Sequence, residues 1–125
     1  MKTIVALAQI EITLSDVSAN LEQARLAVAR AAASSADLIL FPELWTTGYN
    51  LPQRSELAEA NLPVLDELLR LAAQHQVTIG GSWLTRRGDV FFNTFHLVTP
   101  TGQVTIYDKT HLFGLMQEDQ FLTPG

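Results

Sequence analysis

The sequence predicts an α/β fold in which a sheet begins as parallel strands joined by helices and continues as a strand meander. Three observations carry that expectation. The runs Ile4 to Ala8 and Leu38 to Phe41 are apolar on both faces, as strands inside parallel sheets are. Between them Leu21, Ala24, Val28 and Ala31 recur at helical spacing. From Val77 onward, apolar runs alternate with short Gly and Pro punctuation, the pattern of antiparallel strands joined by tight turns.

At 125 residues the chain has the length of one domain or a piece of one, and its 47% hydrophobic content is enough for a sizeable core. The formal charge of −5, from 13 acidic and 8 basic residues without a basic cluster, speaks against nucleic acid or an anionic membrane as partner. A small molecule or a protein fits better. The absence of cysteine removes disulfides, thiolate metal sites and any cysteine nucleophile supplied by these residues. His75, His96 and His111 are too far apart for a sequence-local ligand motif, so neither a metal nor a cofactor is expected. The apolar start is shorter than a signal peptide's core or a membrane span, and the expected location is the cytoplasm.

In chain order, Ile4 to Ala8 reads as a first strand lying inside the sheet and covered on each side. Ser15 or Ser18 caps a helix over about Ala19 to Ser34. Leu38 to Phe41 closes a right-handed β-α-β unit. Pro42 cannot donate to a strand ladder, so it stops the strand and delivers Glu43 just past its C-terminal end, where open α/β sheets keep their ligand sites. Leu44 to Pro52 reads as a loop over the strand ends. In it Trp45 and Tyr49 either wall a pocket beside Glu43 or pin the loop to the core.

A second helix runs over about Pro63 to His75, with Leu65, Leu68, Leu69 and Ala72 on one face. Val77 to Leu84 follows as a strand whose Gly80-Gly81 pair marks a close backbone approach or a bulge and lacks the spacing of a dinucleotide loop. Arg86 to Asp89 and Thr99 to Gly102 connect the strands Val90 to Val98 and Val104 to Tyr107, with Arg86 and Arg87 as a solvated hairpin tip. Asn93, inside a strand, either satisfies a local backbone group, the default, or helps to position a site loop. Lys109 lies where the last strand runs out, and Gln117-Glu118-Asp119 brings carboxylates after it. Read without further pattern, Lys109 is a solvated surface lysine, removable at a cost within about 0.5 kcal/mol.

Phe41-Pro42-Glu43 and Tyr107-Asp108-Lys109-Thr110-His111-Leu112-Phe113, in this order, resemble the two upstream motifs of the carbon-nitrogen hydrolase (nitrilase) superfamily. The likeness extends to Ala8-Gln9, Asp37 to Leu40, Gly48-Tyr49, Asn93-Thr94 and Phe121 to Gly125. It implies that the α/β chain is part of a nitrilase-like α-β-β-α sandwich hydrolysing non-peptide carbon-nitrogen bonds with a Glu-Lys-Cys set. By that resemblance Glu43 is the general base, Lys109 supports the tetrahedral intermediate, Glu118 is a second glutamate positioning substrate and lysine, and Trp45 and Tyr49 flank the acyl pocket. Tyr107 to Phe113 is closer to omega-amidase members acting on small amides than to nitrile hydrolases.

The family's cysteine normally lies downstream of the lysine motif. Residues 1–125 are therefore expected to be the N-terminal portion of a single domain, inactive alone, whose partner is the missing C-terminal half. The alternative is a non-catalytic interaction or ligand-binding module that keeps the fold without the nucleophile. The resemblance also implies a homo-oligomer. Right-handed crossovers should put both helices on one sheet face and leave the other bare, so the chain by itself should fold poorly as a monomer.

Overall fold

The computed structural model describes Met1–Gly125. Its elements are β1 (Val5–Leu7), α1 (Val17–Ala33), β2 (Leu38–Leu40), α2 (Arg54–Ala60), α3 (Val64–His75), β3 (Thr78–Arg87), β4 (Val90–Val98), β5 (Val104–Asp108) and α4 (Glu118–Phe121). They build one five-stranded sheet in the order β1-β2-β3-β4-β5, parallel from β1 to β3 and antiparallel from β3 to β5. No helix is long and apolar enough to cross a membrane.

Helices α1 and α3 lie on one face. Val17, Leu21, Ala24, Val28 and Ala31 of α1 and Val64, Leu68, Leu71 and Ala72 of α3 are buried in one cluster with Ile39, Ile79, Trp83 and Val98 from the strands. The periodicity that announces the helices is thus the stripe that removes them from water. The α1 cap is Asp16, whose Oδ1 accepts from the Ala19 N–H at 2.9 Å, and neither Ser15 nor Ser18 takes that place. Ser15 has a φ of +62° and is committed elsewhere, its N–H donating to the Thr47 carbonyl and its Oγ accepting from Asn50. Ser18 is already helical.

Strand β1 corrects a second expectation. It is an edge strand with Val5 46% and Leu7 73% exposed, because within these residues nothing lies beyond it and no element covers its second face. Paired residues share a face, and faces alternate along a strand. The register therefore places Val5, Leu7, Leu38, Leu40, Asn93, Phe95, Leu97 and Tyr107 together on the face away from α1 and α3. At the β3–β4 hairpin end, that face is covered by a smaller cluster in which Leu84 and Phe91 meet Leu44, Leu51, Leu57, Ala58 and Leu122. Helix α2, which enters this cluster, escaped the sequence reading because it is short and only Leu57 and Ala58 of it are buried.

The glycine pair is a close approach. A Cβ on Gly81 would sit 2.7 Å from Trp45 Nε1, and one on Gly80 would sit 2.7 Å from Leu40 Cδ2, on opposite faces of the strand.

Candidate active site

Glu43 is delivered by a chain reversal that the sequence announces only in part. The Phe41 N–H donates to the Gly80 carbonyl at 2.8 Å, Pro42 ends the ladder, and Leu44 adopts a φ of +49°, a left-handed conformation that is uncommon for a branched residue. Two groups of Ser82 stabilise the reversal. Its Oγ accepts from the Leu44 N–H at 3.0 Å and its carbonyl from the Trp45 N–H at 3.3 Å. Leu44 is fully buried, so packing holds the left-handed turn while Glu43 emerges beyond the strand end.

Lys109 follows β5 directly. Its N–H donates to the Asn93 carbonyl at 2.9 Å, and its own carbonyl accepts from the Gly125 N–H at 3.0 Å. The preceding Asp108 points to the other side. There it takes a two-pronged contact from Arg87 at 2.6 and 2.9 Å and a hydrogen bond from Thr94 Oγ1 at 2.6 Å. The Arg87 guanidinium beside Asp108 holds its carboxyl below the usual range. That clamp fixes the strand end from which Lys109 reaches the opposite face, which gives Arg87 a partner inside the fold.

The three charged candidates meet. Lys109 Nζ lies 2.7 Å from Glu43 Oε1 and 3.0 Å from Glu118 Oε1. Asn93 Nδ2 donates to Glu43 Oε1 at 2.7 Å, and the Tyr49 hydroxyl donates to Glu43 Oε2 at 2.8 Å. Burial works to raise the Glu43 carboxyl, but the hydrogen bonds from Lys109, Tyr49 and Asn93 outweigh it and hold the group below the usual carboxylate range. Burial works against the Lys109 charge too. The adjoining Glu43 and Glu118 overcome it and keep the ammonium above its ordinary value. The set is an ionised carboxylate, an ammonium and a fully buried Glu118 on α4, whose Oε2 has no partner.

Glu43, Asn93 and Lys109 open on a cavity of about 300 Å³ whose other lining residues are Phe41, Ser82, Phe95 and Tyr107. Three aromatic walls around an acid, an amide and an ammonium suit a small, partly apolar molecule carrying one polar centre. A larger hollow of about 420 Å³ lies beside Trp83, Leu84 and His96 and contains none of Glu43, Lys109 or Glu118.

Trp45 is not a wall of the cavity. It is fully buried in the helix-side core, with its ring centroid 4.9 Å from Phe41 and 6.4 Å from Trp83. The reversal at Leu44 separates it from Glu43 and turns it inward. Tyr49 does stand at the site, as a hydrogen-bond donor to Glu43 outside the cavity lining. Asn93 overturns its default reading, since its amide serves Glu43, fifty positions away in sequence, and not the local backbone. The signal was present as a polar residue sharing the face of Phe91 and Phe95 in an apolar strand. Ser82 carried no comparable signal.

The carbon-nitrogen hydrolase family profile matches residues 4–125. The chain belongs to the carbon-nitrogen hydrolase family. It is 34% identical over 128 residues to the 2-oxoglutaramate amidase of Bacillus subtilis (strain 168), covering all of this chain and 49% of that protein. Among solved structures, a CN-hydrolase superfamily protein from Xanthomonas campestris superposes with a TM-score of 0.91 at 25% identity, over 100% of this chain and 47% of that one. The amidase from Nesterenkonia sp. AN1, in a mutant form carrying acrylamide added to its active-site cysteine, gives a TM-score of 0.87 at 27% identity over 99% and 50%. This carbon-nitrogen hydrolase chain thus spans about half the length of the relatives it matches.

Proposed function

We propose that residues 1–125 are the N-terminal portion of one carbon-nitrogen hydrolase domain that cleaves small amides of the omega-amidase type. In this reading Glu43 is the general base, Lys109 supports the oxyanion, and the nucleophilic cysteine lies outside these residues. The observation that carries it is the bridging of Glu43 and Glu118 by Lys109 Nζ, at 2.7 and 3.0 Å, at the mouth of a cavity on the uncovered face of the sheet. A cysteine brought to that face would find a carboxylate to take its proton and an ammonium beside the carbonyl oxygen it attacks. Glu118 keeps Lys109 charged and in place. Asn93 does the same for Glu43.

The carboxylate accepts the thiol proton, the thiolate adds to the amide carbon, and the negative charge growing on oxygen is met by the Lys109 ammonium. The proton on Glu43 then passes to the departing nitrogen, and ammonia leaves an acyl-cysteine for water to hydrolyse. The likeness to an amidase that carries acrylamide on its active-site cysteine supports a cysteine as the nucleophile.

The test is ammonia release from short primary amides, measured on the protein extended through the coding sequence after Gly125. Release is expected, and it should disappear in Glu43→Gln. An extended protein that is folded yet releases no ammonia from amides, carbamoyl compounds or nitriles would sink the proposal. A stop codon directly after Gly125, with a stable and inactive chain, would favour the alternative of a non-catalytic binding module. The observation behind that alternative is the absence of cysteine from all 125 residues.

A further inference from the structure

The two oxygens of Glu43 are unequally engaged. Oε1 accepts from Asn93 Nδ2 and from Lys109 Nζ, each at 2.7 Å, so both of its in-plane lone pairs are filled. Oε2 accepts only from the Tyr49 hydroxyl, at 2.8 Å, and keeps one lone pair open. The Tyr49 ring packs against the cluster of Leu44, Leu51 and Leu84, so the hydroxyl is aimed by packing. We propose that Tyr49 is a positioning residue that assigns Glu43 Oε2 as the proton-accepting oxygen and sets the basicity of that carboxylate.

The inference rests on Glu43 being the general base. In the first step the S–H bond of the cysteine breaks and an O–H bond forms on the open lone pair of Oε2, while sulfur keeps the electron pair that attacks the carbonyl carbon. When the C–N bond breaks, the same proton moves to the departing nitrogen and Glu43 returns to a carboxylate. Throughout, Oε1 stays bonded to Lys109 and Asn93, so the base is held still while its other oxygen works.

The charged and titratable groups facing this carboxylate are Lys109 beyond β5, Glu118 on α4 behind Lys109, Tyr107 in the cavity wall and Tyr49 itself. Burial, followed by the hydrogen bond to Glu43, pushes the Tyr49 phenol above its ordinary value, so it remains a donor throughout the range over which Glu43 titrates.

Tyr49→Phe removes one hydrogen bond to the charged form of Glu43 and should raise its pKa by about one unit. Two readouts on the extended protein test this. The first is a carbon-13 titration of the Glu43 side-chain carboxyl, which needs no turnover. The second is the pH dependence of kcat/KM on a small primary amide, whose acid limb should move up with it while KM stays within about twofold. Replacing Tyr49 by 3-fluorotyrosine, a stronger donor of nearly the same shape, should move both downward and serves if the phenylalanine variant fails to fold. An unmoved Glu43 titration overturns the inference whether or not amides are cleaved. An unmoved acid limb with a raised KM overturns it too and makes Tyr49 a substrate wall. A Glu43 that titrates as expected in a protein whose Glu43→Gln variant is fully active overturns the proposed function instead.

Discussion

Lys109 holds two carboxylates at once, and Glu118, fully buried, has no other charged partner. Lys109 therefore differs from the solvated lysine that its place at a strand end implied. Removing it takes the ammonium from between Glu43 and Glu118, the proposed oxyanion support, and also leaves a buried carboxylate uncompensated. Lys109→Ala in the extended protein is expected to lower turnover by about 100- to 1,000-fold. It should also lower stability by about 3 kcal/mol, the low end for breaking a buried pair, since the lysine is partly exposed. The two effects separate in a double variant. Adding Glu118→Gln to Lys109→Ala takes away the unpaired charge, so urea denaturation should show stability largely recovered while turnover stays low. Recovery of turnover together with stability would show that Lys109 acts on folding alone.

The β3–β4 hairpin is the element that carries both sides of the site's support. Asn93 and Phe95 face the cavity, while Thr94 and His96 face the helices and hold Asp108 and Trp83. His96 stacks on Trp83 with ring centroids 3.7 Å apart and donates from Nδ1 to the Thr94 carbonyl at 3.1 Å. Burial pushes the imidazole down to about 4, against an ordinary 6.5 and against the opposing pull of that hydrogen bond. The folded state thus favours the neutral ring. The stability it contributes is fully present above pH 6.5 and is lost as pH falls toward 4, because only the unfolded chain takes up the proton over that window. The loss amounts to about 3 kcal/mol. Chemical denaturation of the extended protein at a series of pH values should show this slope above the range where the carboxylates protonate. His96→Phe, which keeps a ring on Trp83, should flatten it. An unchanged slope would assign the pH dependence to other groups.

At the scale of the whole molecule, the sheet is covered by helices on one side and left largely open on the other. Leu7 is 73% and Tyr107 58% exposed there, beside Val5, Leu38, Leu40, Phe95 and Leu97. The cavity opens onto the same surface. An apolar face of this kind, on the order of several hundred Å², favours association. Residues 1–125 expressed alone should therefore self-associate, bind an apolar dye and release no ammonia from amides. Sizing chromatography with dye fluorescence checks this, and Leu7→Lys should weaken the association. A monomeric chain that melts cooperatively and binds no dye would contradict the expectation.

The strand runs, the helical stripes and the turn residues were legible in the sequence because each depends on periods of a few residues. So was Pro42, which stops a strand by chemistry that needs no partner. The charged candidates Glu43, Lys109 and Glu118 were legible as a pattern of motifs, and their family membership follows from residues spread over the whole chain. What the sequence could not decide is which side chains face which. The left-handed turn at Leu44 sends Trp45 into the core and leaves Glu43 at the cavity, and it depends on Ser82, a residue from another strand. Asn93 reaches Glu43 only because the register pairs Leu84 with Asn93 and carries β4 beside the end of β2's neighbour. Strand β1 reads as interior from its apolar residues, but its place at the sheet edge comes from strand order. Local chemistry determined the elements and the candidate residues. Long-range register and the closure of the chain decided their partners, because hydrogen bonds between distant residues leave no period in the sequence.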